Sequence, residues 1–134
     1  MIFNDLGVII MTQLTEERKQ EIIAEVLAAR ANREQFLLEM KQRQQAGLKI
    51  AQKCASLLKE KYGVTKVVLF GSLLNYEEIT PHSDLDLAVW DLPEKDYFKA
   101  IAELDNGQDF EVDLVQVQKA HTYILEAIAQ GVEL

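Results

Sequence analysis

Cysteine, histidine and proline are nearly missing from this 134-residue chain, and each scarcity removes a class of explanation. The single cysteine, Cys54, excludes an internal disulfide framework and fits a reducing, cytoplasmic setting. The two histidines, His82 and His121, lie far from Cys54 and from each other, so no zinc-like ligand spacing exists. The only prolines are Pro81 and Pro93, and no glycine occurs from position 8 to 46, which leaves the first third without helix breakers. No uncharged apolar run reaches 18 residues, so no membrane-spanning helix is expected. The opening MIFNDLGVIIM carries Asp5 and lacks both a basic leader and a small-residue cleavage site, unlike a signal peptide. Residues 1–14 are expected to form a disordered leader, with Met11 an alternative start. Neither a P-loop nor a Ser-His-Asp hydrolase elbow is present.

Basic charge is scarce in one half. Thr15 to Tyr62 holds 10 Lys/Arg and 7 Asp/Glu, a net of +3, whereas Gly63 to Leu134 holds 4 and 14, a net of −10. Affinity for nucleic acid comes largely from neutralising phosphates with Lys and Arg, so a long DNA or RNA substrate is excluded as the expected partner. A nucleotide carried with a metal is compatible, because the metal brings the positive charge.

Thr15 is placed as an N-cap, with Glu16 and Glu17 near the positive end of the helix dipole. Helical spacing then runs through Ile22, Ile23, Val26, Leu27, Phe36, Leu37 and Met40 to Ile50, Cys54, Leu57, Leu58 and Tyr62. One helix from 15 to 62 would span ~72 Å at ~1.5 Å per residue, which predicts two helices with a break near Ala31-Asn32 or Gln45–Gly47. Gly63 closes the helical segment. Strands are predicted at Lys66–Phe70, Asp84–Trp90 and Phe110–Val117. A helix between Pro93 and Leu104 should bury Tyr97, Phe98, Ile101 and Leu104. A last helix from about Lys119 should present Ala120, Tyr123, Ile124, Ala127 and Ile128, with Val132–Leu134 as a short edge strand. The fold class is α/β, a small mixed sheet covered mainly by helices on one face, with acids on the other.

The chemistry concentrates in residues 67–90, VVLFGSLLNYEEITPHSDLDLAVW. An apolar strand ends in Gly71-Ser72, whose backbone N–H groups and hydroxyl suit phosphate, especially at a helix N-terminus. Beyond a polar loop, Asp84 and Asp86 alternate with Leu85 and Leu87, so both carboxylates share one strand face. Their Cα atoms should lie ~6.5 Å apart at ~3.3 Å rise per residue. Adjacent aspartates repel, and hard oxygen donors suit Mg²⁺. A phosphate cradle beside a carboxylate pair points to a metal-bound nucleoside triphosphate. In the third strand Glu111 and Asp113 share a face opposite Phe110, Val112 and Leu114. Lesser candidates are His82, which could touch a phosphate or lie solvated, Ser83 as a turn cap, Trp90 on a base or in the core, and structural roles for His121 and Cys54.

With Gly71-Ser72, a spacer and Asp84-x-Asp86 in an apolar strand, the stretch resembles the minimal nucleotidyltransferase (MNT) family of the DNA polymerase β superfamily. The resemblance covers roughly residues 48–134. It departs in a spacer about one residue longer and in Leu73, where the family frequently has an arginine. It implies a nucleotidyltransferase domain at 47–134 preceded by a helical extension at 15–46. It selects Asp113 as the third acid, with Glu111 second. Asp84, Asp86 and Asp113 would then hold two Mg²⁺ ions, while Gly71 and Ser72 hold the β- and γ-phosphates of ATP. The implied activity is transfer of an NMP, AMP foremost, to a hydroxyl on a protein of the HEPN toxin family, making the chain an antitoxin. The extension at 15–46, basic and outside the resembling stretch, is expected to be a partner or homo-oligomer surface, or else a solvated cover on the core. The alternative is a non-catalytic antitoxin that neutralises its partner by binding.

Overall fold

The computed structural model describes residues 15–105 and 107–134, so the expected leader at 1–14 lies outside the described residues. The elements, in chain order, are helix α1 (Glu16–Tyr62), strand β1 (Lys66–Phe70), strand β2 (Leu85–Trp90), helix α2 (Tyr97–Leu104), strand β3 (Val112–Gln116), helix α3 (Thr122–Ala129) and strand β4 (Val132–Glu133). Short 3₁₀ turns at Ser72–Leu74, Glu94–Asp96 and Val117–Lys119 connect them. By internal packing the chain divides between Phe36 and Leu37.

In the first unit, Arg18 N–H donates to Thr15 Oγ1 at 3.1 Å, so Thr15 is the N-cap that the sequence predicts. Arg18 pairs with Glu21 and Glu25, and Lys19 with Glu16, all at exposed positions. Exposed pairs such as these contribute little to stability. Ile23, Val26, Leu27 and Phe36 are exposed.

The expected helix break is absent, since α1 is continuous through both Ala31-Asn32 and Gly47. Length was a poor guide because a helix need not be buried throughout: the buried positions of α1 begin only at Met40 and recur at helical spacing to Tyr62. Gly47 stays helical because its missing side chain is useful. A Cβ there would lie 2.9 Å from Leu73 Cδ2 and 3.1 Å from Phe110 Cζ, so glycine permits α1 to approach the loop after β1.

The second unit, Leu37–Leu134, is built on one four-stranded sheet of order β3-β2-β1-β4. β1 pairs antiparallel with β2 and β4, and β2 pairs parallel with β3, which makes the sheet mixed. Alternation sorts the side chains. Val67, Leu69, Leu85, Leu87, Val89 and Leu114 join Ala51, Cys54, Leu58 and Tyr62 of α1 and Ala100 and Leu104 of α2 in the main core. On the opposite face Val68, Phe70 and Ala88 pack with Ile128 of α3, flanked by Trp90 and Val115. That face is therefore part apolar and covered by α3, and the acids occupy only its remainder.

Two expected core residues face outward. Phe98 is 81% exposed and Tyr123 is 68% exposed. In α2 the inward side is Tyr97, Ala100, Ile101 and Leu104, and one residue's ~100° step carries Phe98 off it. In α3 the inward side is Ile124, Ala127 and Ile128, and Tyr123 stacks on His121 instead.

Enlarging Gly47 should expose this packing. Gly47→Val is expected to destabilise by ~1–3 kcal/mol through overpacking. Gly47→Ala should cost less, because a helix-propensity gain of up to ~1 kcal/mol opposes the close contact. Thermal unfolding of the full chain decides; a Val variant as stable as the wild type contradicts the close approach.

Candidate functional site

Gly71 follows β1 with φ of 89°, a left-handed conformation that side chains disfavour. A Cβ at this position would overlap Asp86 Oδ2 and lie 3.2 Å from Asp86 Cγ. Glycine is thus required twice, by the backbone and by the carboxylate against it. The following element is only the three-residue 3₁₀ turn Ser72–Leu74, not the longer helix start that would supply a substantial dipole. Ser72 Oγ donates to Ser83 Oγ at 3.2 Å, and Ser83 Oγ accepts from Thr80 N–H at 2.9 Å. Ser83 therefore does more than cap its turn: it fastens the loop before Asp84 to the turn after Gly71.

Asp84 directly precedes β2, and Asp86 lies within it. In the parallel β2–β3 pair, Asp86 stands opposite Asp113. Phe70, the residue before Gly71, stands opposite Asp86 on the other side. The three aspartates and the Gly71-Ser72 turn are accordingly brought together at one end of the sheet. Glu111 lies just ahead of β3, is exposed, and its carbonyl accepts Leu85 N–H at 2.9 Å.

Electrostatics record the crowding. Asp86 is pushed up to about 6, first by burial, then by the charges of Asp113 and Asp84 and by a hydrogen bond to Asp113. Asp113 is raised too, by burial first and then by the charge of Asp84. The hydrogen bond between them raises Asp86 and lowers Asp113, while burial and the neighbouring charge raise both. Among the described residues no three acidic, histidine or cysteine side chains form a ready-made metal cage. The donor set is nonetheless all carboxylate oxygen, and Asp86 Oδ2 fills the place where a Cβ of residue 71 would lie. Carboxylate oxygens suit a hard divalent cation.

A family model described as "Polymerase beta, Nucleotidyltransferase" matches residues 52–134. The chain belongs to this nucleotidyltransferase family. Among solved structures, a chain of a toxin–antitoxin crystal structure with AMP-PNP is 25% identical, with a TM-score of 0.51 over 62% of this chain and 70% of that one. A chain of the toxin–antitoxin MntA–HepT structure is 23% identical, with a TM-score of 0.49 over 64% and 69%. A chain from tri-AMPylated Shewanella oneidensis HEPN toxin in complex with MNT antitoxin is 20% identical, with a TM-score of 0.41 over 70% of each. No curated protein matches the sequence significantly.

In this nucleotidyltransferase, Leu73 is fully buried, and its methyl groups lie against Gly47. An arginine in that orientation would bury an unpaired charge, so Leu73 and Gly47 form one packing unit. Gln44 of α1 donates to the Leu73 carbonyl at 2.8 Å and holds the turn from above. One basic residue of α1, Arg43, reaches the site, lining a cleft of about 250 Å³ with His82, Asp84 and Glu111. Nothing in the charge pattern singles it out from the other basic residues of the helix. The nearest signal is Gly47, one turn further on the same helix face. His82 is exposed, and Trp90 packs in the second apolar cluster with Lys66 over its ring.

The raised Asp86 makes stability depend on pH with a definite sign. Its folded value of about 6 exceeds the ordinary 3.8, so its stabilising contribution is present below pH 3.8 and is lost as pH rises through about 6. Asp86→Asn should therefore stabilise the metal-free protein at neutral pH, by about 1 kcal/mol after discounting for partial exposure. The gain should shrink toward acid. Thermal melts across pH check this; a gain that grows with acidity contradicts it.

Proposed function

We propose that the chain is a metal-dependent nucleotidyltransferase that moves AMP from ATP to a hydroxyl on a HEPN-type partner protein and so acts as an antitoxin. The observation that carries this reading is the placement of Asp86 opposite Asp113 with its carboxylate pressed against Gly71. Membership of the nucleotidyltransferase family supports the reaction class. The likeness to a toxin–antitoxin structure with AMP-PNP supports an adenine nucleotide. The HEPN identity of the partner rests on the resemblance of residues 67–90 to the MNT family.

Asp84, Asp86 and Asp113 would hold two Mg²⁺ ions, which when bound lower the pKa of an acceptor hydroxyl and offset charge on the departing pyrophosphate. Asp86 would take that role deprotonated, against the burial and neighbouring carboxylates that raise it. The Gly71 backbone and the Ser72 hydroxyl orient the β- and γ-phosphates. The acceptor oxygen then bonds to the α-phosphorus as the bond to pyrophosphate breaks. Asp113, on the strand beside the Asp84-x-Asp86 pair, serves the acceptor side.

The helical extension, residues 15–46, lies ahead of the matched family region, and we assign its exposed Ile23, Val26 and Leu27 to association, with the partner or with a second copy. Its more distal part, from Met40, belongs to the core unit, so the surface is tested by substitution rather than truncation. Val26→Glu/Leu27→Glu in the full chain should reduce association about tenfold or more, ~1.4 kcal/mol, by sedimentation or calorimetry. Unchanged self-association together with unchanged partner binding would make this helix a bystander.

The transfer itself is read by intact mass after incubating protein, partner, ATP and Mg²⁺. Wild type should add AMP to the partner, and Asp113→Asn should slow this by about a hundredfold or more, ~2.7 kcal/mol. A partner silenced without gain of mass, and silenced equally by Asp113→Asn, would instead identify a module that acts by occlusion.

A further inference from the structure

Arg43 joins two segments that lie just ahead of the β2–β3 ladder. Its Nη2 donates to the Ser83 carbonyl at 3.2 Å and to the Asp109 carbonyl at 3.1 Å. Ser83 immediately precedes Asp84 and β2, and Asp109 lies on the approach to β3. Between the same segments runs the Leu85 N–H to Glu111 carbonyl bond. The guanidinium also lies over the Phe110 ring, its Cζ 3.9 Å from the centroid. Nε is buried, with no partner among the described residues.

We propose that Arg43 is a positioning residue, a clasp that fastens the entry of β2 to the entry of β3 and so sets the separation of Asp84 and Asp86 from Asp113. A guanidinium suits the task for three reasons. It offers several donors in one plane, it stacks flat on an aromatic ring, and it keeps its charge beside acids. It shares a cleft with Asp84 and Glu111. Lysine keeps the charge but loses the planar fork, and methionine keeps only the apolar stem.

The kinetic half of this inference rests on the nucleotidyltransferase reading; the geometric half does not. Amide hydrogen exchange of the full chain tests the geometry. In Arg43→Met, the Leu85 amide and the β2–β3 rungs beyond it should exchange about tenfold faster, while Val68 and Leu69 of β1 keep wild-type rates. Uniform acceleration would mean Arg43 serves only global stability, and no acceleration would mean it holds nothing; either overturns the clasp. For AMP transfer, kcat should fall about tenfold with KM for ATP-Mg²⁺ nearly unchanged, and Arg43→Lys should recover part of the loss. A KM effect with intact kcat would overturn the positioning role. Should wild type show no transfer, the functional reading fails, and the exchange result still decides the clasp.

Discussion

Mutual repulsion among Asp84, Asp86 and Asp113 is the constraint around which this domain is arranged. Neighbouring strands lie only ~4.8 Å apart, and Asp86 faces Asp113 directly across that gap. Nothing in the carboxylates favours their meeting; the leucines behind them do. Leu85 and Leu87 are fully buried and Leu114 nearly so. A one-residue slip of either strand would exchange an aspartate for a leucine on the core face. Each buried leucine contributes ~1.5–3 kcal/mol, enough to hold the register against the charges. The cost remains visible in Asp86, which retains its proton up to about pH 6.

The rest of the unit serves the same end. The Gly71 turn fits against Asp86 only because no Cβ intervenes, and Ser83 ties that turn to the start of β2. Leu73 carries the turn into the core, where Gly47 lets α1 close over it. From the same helix Gln44 and Arg43 reach down to backbone carbonyls around the site. The central stretch of α1 is thus a scaffold for the loops bearing the polar groups, and the candidate site is braced by residues ahead of the matched family region.

Much of this was legible in the residues. The strands declared themselves through alternation, which put Asp84 with Asp86 and Glu111 with Asp113; the family resemblance chose Asp113 over Glu111, and Gly71-Ser72 marked the turn. Cys54 fell on the apolar stripe of its helix and is buried. What failed were inferences needing a neighbour that a single element does not reveal. Phe98 and Tyr123 are large and apolar, yet their helices turn smaller residues such as Ala100 and Ala127 inward. The continuity of α1 was hidden because Gly47 reads as a breaker until Leu73 and Phe110 are seen against it. Leu73 read only as a departure from the family's frequent arginine, whereas its side chain belongs to the core. Arg43 was invisible because its partners are main-chain carbonyls, which leave no mark in composition.

The central claim is that the repelling carboxylates are kept together to share a cation with a triphosphate. Titration calorimetry of the full chain with ATP, with and without Mg²⁺, tests it most directly, alongside Asp84→Asn/Asp86→Asn. Wild type should bind only with Mg²⁺, and the double variant should bind about a hundredfold more weakly, ~2.7 kcal/mol. Binding of equal strength in the double variant, or binding indifferent to Mg²⁺, would contradict it.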